Sequence, residues 1–143
     1  MPSAVIREIG DVIVAALMSK PARTLTPQTT IEELTELMTV YDYNGFPVVD
    51  DNGVLQGLVT RTDMFKAYLD PYRHAAREGG ATTVADIMSR GVITVGPEDR
   101  VFSAIALMID HHVVTVPVVT PTAKGPQVVG VITRRDAAGA LKP

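Results

Sequence analysis

The sequence predicts an α/β (α+β) fold built from two tandem β-α-β-β-α repeats, and three observations carry that expectation. The phrase GLVTRTD at 57–63 returns as GVITRRD at 130–136, with its glycine, threonine, first arginine and aspartate in the same places. Pro47-Val48-Val49 returns as Pro117-Val118-Val119, and Met18-Ser19 as Met88-Ser89, each seventy positions on. Thr24, Pro27 and Met38 recur at the same offset as Thr94, Pro97 and Met108. Self-similarity at a fixed period marks one supersecondary unit used twice.

Each copy is expected to open with a strand, over 23–26 and 92–96. Pro27 or Pro97 then precedes a helix, whose apolar residues in the first copy are Ile31, Leu34, Leu37, Met38 and Tyr41, spaced for one helical face. Two β-rich runs follow, FPVVD and VLQGLVT in the first copy, VPVVT and QVVGVIT in the second. Asp51-Asn52-Gly53 joins the first pair as a hairpin-like turn, because Asn-Gly tolerates positive φ. A second helix is predicted over 64–69 and over 137–141. The motif phrase matches seventy-three positions on rather than seventy, so the second copy holds three extra residues after Val119, assigned to a surface loop, TPTAKGPQ. The organisation read from this is a first repeat over 1–69 with an N-terminal helix, a linker over 70–81 and a second repeat over 82–143. In the linker Asp70 suits a helix cap, Pro71 the first helical position and Gly79 the exit, with Arg73, His74 and Arg77 as a solvated face.

The chain has 143 residues, 46% of them hydrophobic, enough for a globular core. With 20% charged residues and a net charge of -3, nothing calls for nucleic acid or an anionic membrane as partner. The absence of cysteine excludes disulfides, thiol nucleophiles and thiolate metal sites. No apolar run reaches the roughly eighteen residues of a membrane span, and MPSAVIREIGD lacks the pattern of a secretion signal, so a soluble, cytoplasmic protein is expected. His111-His112 has no third ligand nearby and reads as a turn, while Met18, Met38, Met88 and Met108 read as core. VFSAIALMID (101–110) is apolar on every side, which calls for cover on its far face, and we read part of that cover as a homodimer contact.

Chemistry concentrates in the paired Gly-x-x-Thr-x-x-Asp phrase, where the threonine leaves a strand and the aspartate falls in the first turn of a helix. Ser/Thr-x-x-Asp/Glu is also a capping box, which needs no ligand. A cap, however, needs neither the glycine nor the upstream Pro-Val-Val, and both recur with it. With its paired Met-Ser starts, paired Pro-Val-Val strands and paired motifs over 12–69 and 82–141, the chain resembles the CBS domain, whose tandem pairs, called Bateman modules, bind adenosine-type ligands and act as regulatory modules. The resemblance implies pseudo-two-fold packing with two ligand clefts between the repeats. It also implies that Asp63 and Asp136 hold a ribose, with Thr60 and Thr133 beside them. Gly57 and Gly130 would let a base approach closely, next to Leu58 and Val131. By the same resemblance the Thr60/Asp63 cleft is walled by Ile93, Val113 and Val114, and the Thr133/Asp136 cleft by Arg23, Tyr43 and Asn44, where Tyr43 can stack. AMP-sensing members place an arginine where this chain has Gly45 and Thr115. Phosphate recognition would then fall to Arg61, Arg134 or Arg135.

The implied ligand is an adenine nucleotide (AMP, ADP or ATP) or S-adenosylmethionine, and the implied role a non-enzymatic sensor that signals through a homodimer or an effector protein in trans. No nucleophile-elbow, Walker or metalloprotease pattern occurs. The rival expectation is a structural interaction module whose clefts stay empty and whose motifs serve as caps.

Overall fold

The mixed helix and strand content expected of the two repeats is present in the computed structural model, which describes residues 10–70 and 82–141. In chain order the elements are α1 (Val14–Leu17), α2 (Ile31–Tyr41), β1 (Gly45–Val49), β2 (Leu55–Thr60), α3 (Arg61–Leu69), α4 (Val84–Ile87), α5 (Val101–His111), β3 (Thr115–Thr122), β4 (Gly125–Thr133) and α6 (Arg134–Ala138), with a closing 3-10 turn at Gly139–Leu141. The chain divides into two compact units, one of residues 24–92 and one of residues 1–23 together with 93–143. This division differs from the sequence copies, because each Met-Ser start folds into the unit built from the other copy. The helix expected in the linker, with Arg73, His74 and Arg77, lies outside the described residues.

In the 24–92 unit, β1 and β2 form an antiparallel hairpin with a bulge between Val48 and Val49. Its turn is organised by Asp50, whose Oδ1 accepts from the backbone N–H of Asn52 (2.8 Å) and Val54 (3.0 Å), while Gly53 takes φ 77. The strand expected over 23–26 shrinks to one parallel bridge between Leu25 and Val48. Leu25 N–H donates to Pro47 O (2.9 Å) and Val49 N–H to Leu25 O (2.8 Å). In a parallel ladder the next bond in either direction would need the N–H of Pro47 or of Pro27, and proline has none. The second unit repeats this with Val95, Pro117, Val119 and Pro97, where Val95↔Val118 is again a lone bridge.

The 93–143 unit carries β3 and β4 as a longer hairpin, extended by the pairs Thr120↔Gln127, Pro121↔Pro126 and Thr122↔Gly125. The three extra residues therefore lengthen the ribbon rather than forming a loop, because pairing satisfies backbone groups that a loop would leave to solvent. The second helix of each copy starts earlier than predicted, at Arg61 and Arg134, because the motif threonine is its N-cap.

The cores match at eight positions, the second having Val101 in addition. Leu25, Leu34, Met38, Phe46, Val48, Val59, Met64 and Val84 form the first; Val14, Val95, Val101, Ala104, Met108, Val116, Val118, Ile132 and Ala137 form the second. Met18 and Met88 pack against the core of the unit each has joined. On α5, Val101, Ala104 and Met108 are buried, whereas Phe102 and Ile109 are 39% and 67% exposed, so part of its apolar surface lies open.

Each hairpin's outer edge is closed by a Met-Ser segment. Leu58 N–H donates to Ser89 O and Ser89 N–H to Leu58 O, both at 2.9 Å; Ser19 and Val131 exchange the equivalent bonds at 2.8 and 3.1 Å. The neighbouring glycine must then lack a side chain. A Cβ on Gly57 would lie 2.7 Å from Ser89 O and from Met88 Sδ, and one on Gly130 would lie 3.1 Å from Ser19 O and 2.7 Å from Met18 Sδ. Gly57→Ala should lower unfolding free energy by about 1–3 kcal/mol, as overpacking does. Gly130→Ala should cost less, since the methionine can yield more easily than a backbone carbonyl. Urea unfolding of both variants tests that order.

Candidate functional site

β2 ends at Thr60 and α3 begins at Arg61, so the first motif sits on a strand-to-helix turn with no spare residue between. Thr60 is the N-cap. Its Oγ1 accepts from Asp63 N–H at 3.2 Å, and Asp63 Oδ2 accepts from Thr60 N–H at 2.8 Å and from Thr60 Oγ1 at 2.9 Å. This is a complete capping box. In the second motif Thr133 caps α6, with Asp136 N–H donating to Thr133 Oγ1 at 3.2 Å and Thr133 N–H to Asp136 Oδ2 at 3.0 Å. A second donor to that oxygen, Ser19 Oγ, reaches Asp136 Oδ2 at 3.4 Å.

Both carboxylates are half-buried, and in both the cap consumes Oδ2 alone. Oδ1 of Asp63 and of Asp136 has no hydrogen-bond partner among the described residues, so each motif offers one anionic acceptor whose direction is already fixed. A capping box by itself does not mark such a place. Thr83 and Asp86 form another at the start of α4, and Gly80-Ala81-Thr82-Thr83-Val84-Ala85-Asp86 even repeats the motif spacing without the preceding hairpin.

The glycines need a correction. The space that a missing side chain at Gly57 and Gly130 was expected to leave for a base is filled by Met88-Ser89 and Met18-Ser19 of the same unit. Leu58 and Val131 likewise spend their backbone N–H and C=O on Ser89 and Ser19. From sequence the Met-Ser pairs read as repeat markers, with Met18 and Met88 as core; their equal distance ahead of each copy's strand was the available signal for this edge-closing role.

The arginines differ between the copies. The Arg61 guanidinium donates through one terminal nitrogen to Asp42 Oδ1 at 3.1 Å and to Tyr43 O at 2.9 Å. Arg61 N–H also donates to Asn44 O at 2.8 Å, so the turn after α2 is laced to the start of α3. Arg134 N–H makes the equivalent bond to Val114 O at 2.9 Å. The side chains of Arg134 and Arg135 are exposed and have no partner among the described residues. Asp42 was not singled out from sequence. Its register partner is His112, and both occupy the left-handed helix-ending position, with φ 51 and 55.

Tyr43, expected to stack on a ligand, packs within its own unit, 5.7 Å from the Tyr41 ring and 5.4 Å from that of Phe46. Ile93, Val113 and Val114 are half-buried, and Arg23 and Asn44 are exposed. No group of three or more potential metal ligands occurs among the described residues.

Two α/β units of one design, each leading its hairpin into a threonine-capped aspartate, define a paired-repeat module. The chain belongs to the CBS domain family, whose model matches residues 9–70 and again 84–143. It is 31% identical over 113 residues to inosine-5'-monophosphate dehydrogenase of Korarchaeum cryptofilum, covering 79% of this chain and 21% of that protein. It is 35% identical over 113 residues to meiotically up-regulated gene 70 protein of Schizosaccharomyces pombe, covering 79% and 15%. The chain thus spans about a fifth of the length of the first curated relatives it matches. Among solved structures it resembles the CBS domain pair of protein MJ0100 in complex with 5'-methylthioadenosine and S-adenosyl-L-methionine, at 27% identity and TM-score 0.77, covering 92% of this chain and 100% of that one. CBSX2 in complex with AMP, at 23% identity and TM-score 0.78 over 91% and 96%, shares the fold.

Removing either carboxylate removes a cap. Asp63→Ala and Asp86→Ala should each lower stability by about 1 kcal/mol, measurable by chemical denaturation.

Proposed function

We propose that this chain is a regulatory module that binds an adenosine-type ligand at its two Gly-x-x-Thr-x-x-Asp motifs and passes on its occupancy through contacts with a second copy or an effector protein. The observation that carries the reading is the Oδ1 of Asp63 and of Asp136, which has no partner among the described residues, each on a carboxylate pinned by its own cap. A ribose presents two adjacent hydroxyl donors, and a hydrogen bond to a charged acceptor contributes about 1.5–3 kcal/mol. Because Oδ2 is already held, little side-chain freedom is lost when Oδ1 accepts. The similarity to the MJ0100 pair, whose complex holds two adenosyl compounds, supports the same ligand class. The walls implied by the resemblance, Ile93, Val113 and Val114 for one motif and Arg23, Tyr43 and Asn44 for the other, belong to this proposal. A cytoplasmic location belongs to it as well; no helix among the described residues is long and apolar enough to cross a membrane.

A ligand that binds one arrangement of the chain better than another shifts the population toward it, and the shift is limited by that difference in affinity. The exposed Phe102 and Ile109, seven residues apart on one face of α5, suit contact with another protein surface, which we assign to a second copy. Ile109→Glu should shift sedimentation toward a smaller species; an unchanged sedimentation coefficient would remove this surface from the proposal.

One observation favours a purely structural module: every motif threonine and aspartate already has a capping role. Thermal shifts with AMP, ATP, S-adenosylmethionine and 5'-methylthioadenosine separate the two readings. Ligand should raise Tm, and the rise should vanish in the Asp63→Ala/Asp136→Ala double variant yet survive in Asp86→Ala, which loses a cap of the same kind. A rise equal in all three proteins, or none in the parent, would favour the structural module.

A further inference from the structure

Resting on the adenosyl-binding reading above, we infer that the two motifs are charge-selective in opposite senses. Thr133/Asp136 takes phosphorylated, anionic adenosines, whereas Thr60/Asp63 takes uncharged or cationic adenosyl compounds.

The backbone around the two motifs is the same to within a few tenths of an ångström in its equivalent bonds, so the difference lies in side chains. In the 24–92 unit, Arg61 is the only arginine in the motif, and its guanidinium is already divided between the Asp42 carboxylate (3.1 Å) and the Tyr43 carbonyl (2.9 Å). With Asp63 beside it, that turn carries two carboxylates to one guanidinium. An incoming phosphate would be left with the Nε–H and the other terminal nitrogen of a guanidinium already paired with Asp42, and would meet the field of both acids. The ion pair is exposed, with side-chain exposures of 33% for Arg61 and 85% for Asp42, so Coulomb energy alone holds it weakly. The backbone carbonyl is the firmer restraint, because it cannot move away without breaking the turn that Asn44 O and Arg61 N–H also tie.

In the second unit each of these features is reversed. His112 stands where Asp42 does, in the same left-handed conformation, so the carboxylate is gone while the turn is kept. Arg135 replaces Thr62, giving two guanidiniums to the single carboxylate of Asp136. Neither Arg134 nor Arg135 is committed to a partner among the described residues. Planar guanidiniums bind phosphate through paired N–H donors, and here they need give up no existing bond to do so. Asp136 Oδ2 is further held by Ser19, which keeps that carboxylate oriented in a turn of excess positive charge.

The test titrates the whole chain calorimetrically with adenosine and with AMP, which differ only in the phosphate. Asp63→Ala isolates the second motif and Asp136→Ala the first. At the second motif AMP should bind at least about tenfold tighter than adenosine, the equivalent of one charge-assisted bond. That preference should fall with added salt and disappear in Arg134→Gln/Arg135→Thr. At the first motif AMP should bind no tighter than adenosine, and Asp42→Asn should create a preference for it. His112→Asp rebuilds the clamp of the first unit opposite Arg134 without removing a side-chain hydrogen bond or ion pair among the described residues; it should reduce AMP affinity at the second motif and leave adenosine affinity unchanged. Equal phosphate preference at both motifs, or a preference indifferent to Arg134, Arg135 and His112, would overturn the charge selection while leaving adenosyl binding intact. Failure of adenosine and AMP alike to bind either motif would overturn both readings.

Discussion

The pairing of each Met-Ser segment with the strand beside its motif glycine is the contact on which the rest of the molecule depends. Ser89 exchanges two backbone bonds with Leu58, and Ser19 two with Val131, and these close sheet edges that would otherwise present bare N–H and C=O groups. The same pairing draws α4 and α1 against their sheets, where Val84 and Val14 are fully buried. A side chain on Gly57 or Gly130 would force the segments apart. The glycine that looks like part of a ligand motif is therefore first a requirement of assembly, and through it the threonine and aspartate three and six residues later are held at the strand's exit.

The capping box places that aspartate with unusual economy. Helix starts leave backbone N–H groups unpaired, and Thr60 with Asp63, or Thr133 with Asp136, satisfies two of them reciprocally. Only one oxygen of each carboxylate is needed for this, which leaves the other anchored and without a hydrogen-bond partner among the described residues. Capping and the proposed recognition would thus draw on different atoms of one side chain, so a capping role does not stand against a ligand role. The Thr83/Asp86 box shows the same local geometry without a motif hairpin, and it marks how much of the pattern is owed to helix capping alone.

The internal repeat copies backbone demands and leaves charge free. The residue ending α2 or α5 must adopt a left-handed conformation, which aspartate and histidine both enter more readily than most residues. Either satisfies the turn, but only Asp42 can neutralise an arginine. A single position where the backbone is indifferent and the electrostatics are not is enough to make two turns of one shape unlike in charge.

Much of this was legible in order along the chain. The duplicated phrases, the 3.6-residue spacing of Ile31, Leu34 and Met38, and the Asp-Asn-Gly turn are local signals, and the structure keeps α2 and the first hairpin where they point. Each capping box, too, lies within four consecutive residues. Other features depend on residues far apart in sequence meeting across a sheet. The first strand of each copy is cut to a single bridge because prolines stand on both sides of the ladder, a fact that only the register between Leu25 and Val48 brings out. The backbone partner of Leu58 is Ser89 and that of Val131 is Ser19, the latter more than a hundred positions away. Arg61 is paired with Asp42 while Arg134 has no side-chain partner among the described residues, although both follow the same threonine. By itself the sequence determined that one mixed helix-and-strand pattern is used twice and where the motif caps would fall, since those follow from neighbours along the chain. Tertiary structure alone decided what the glycines face, how long the edge strands run and which arginine keeps its charge available, because each rests on a contact that local periodicity does not encode.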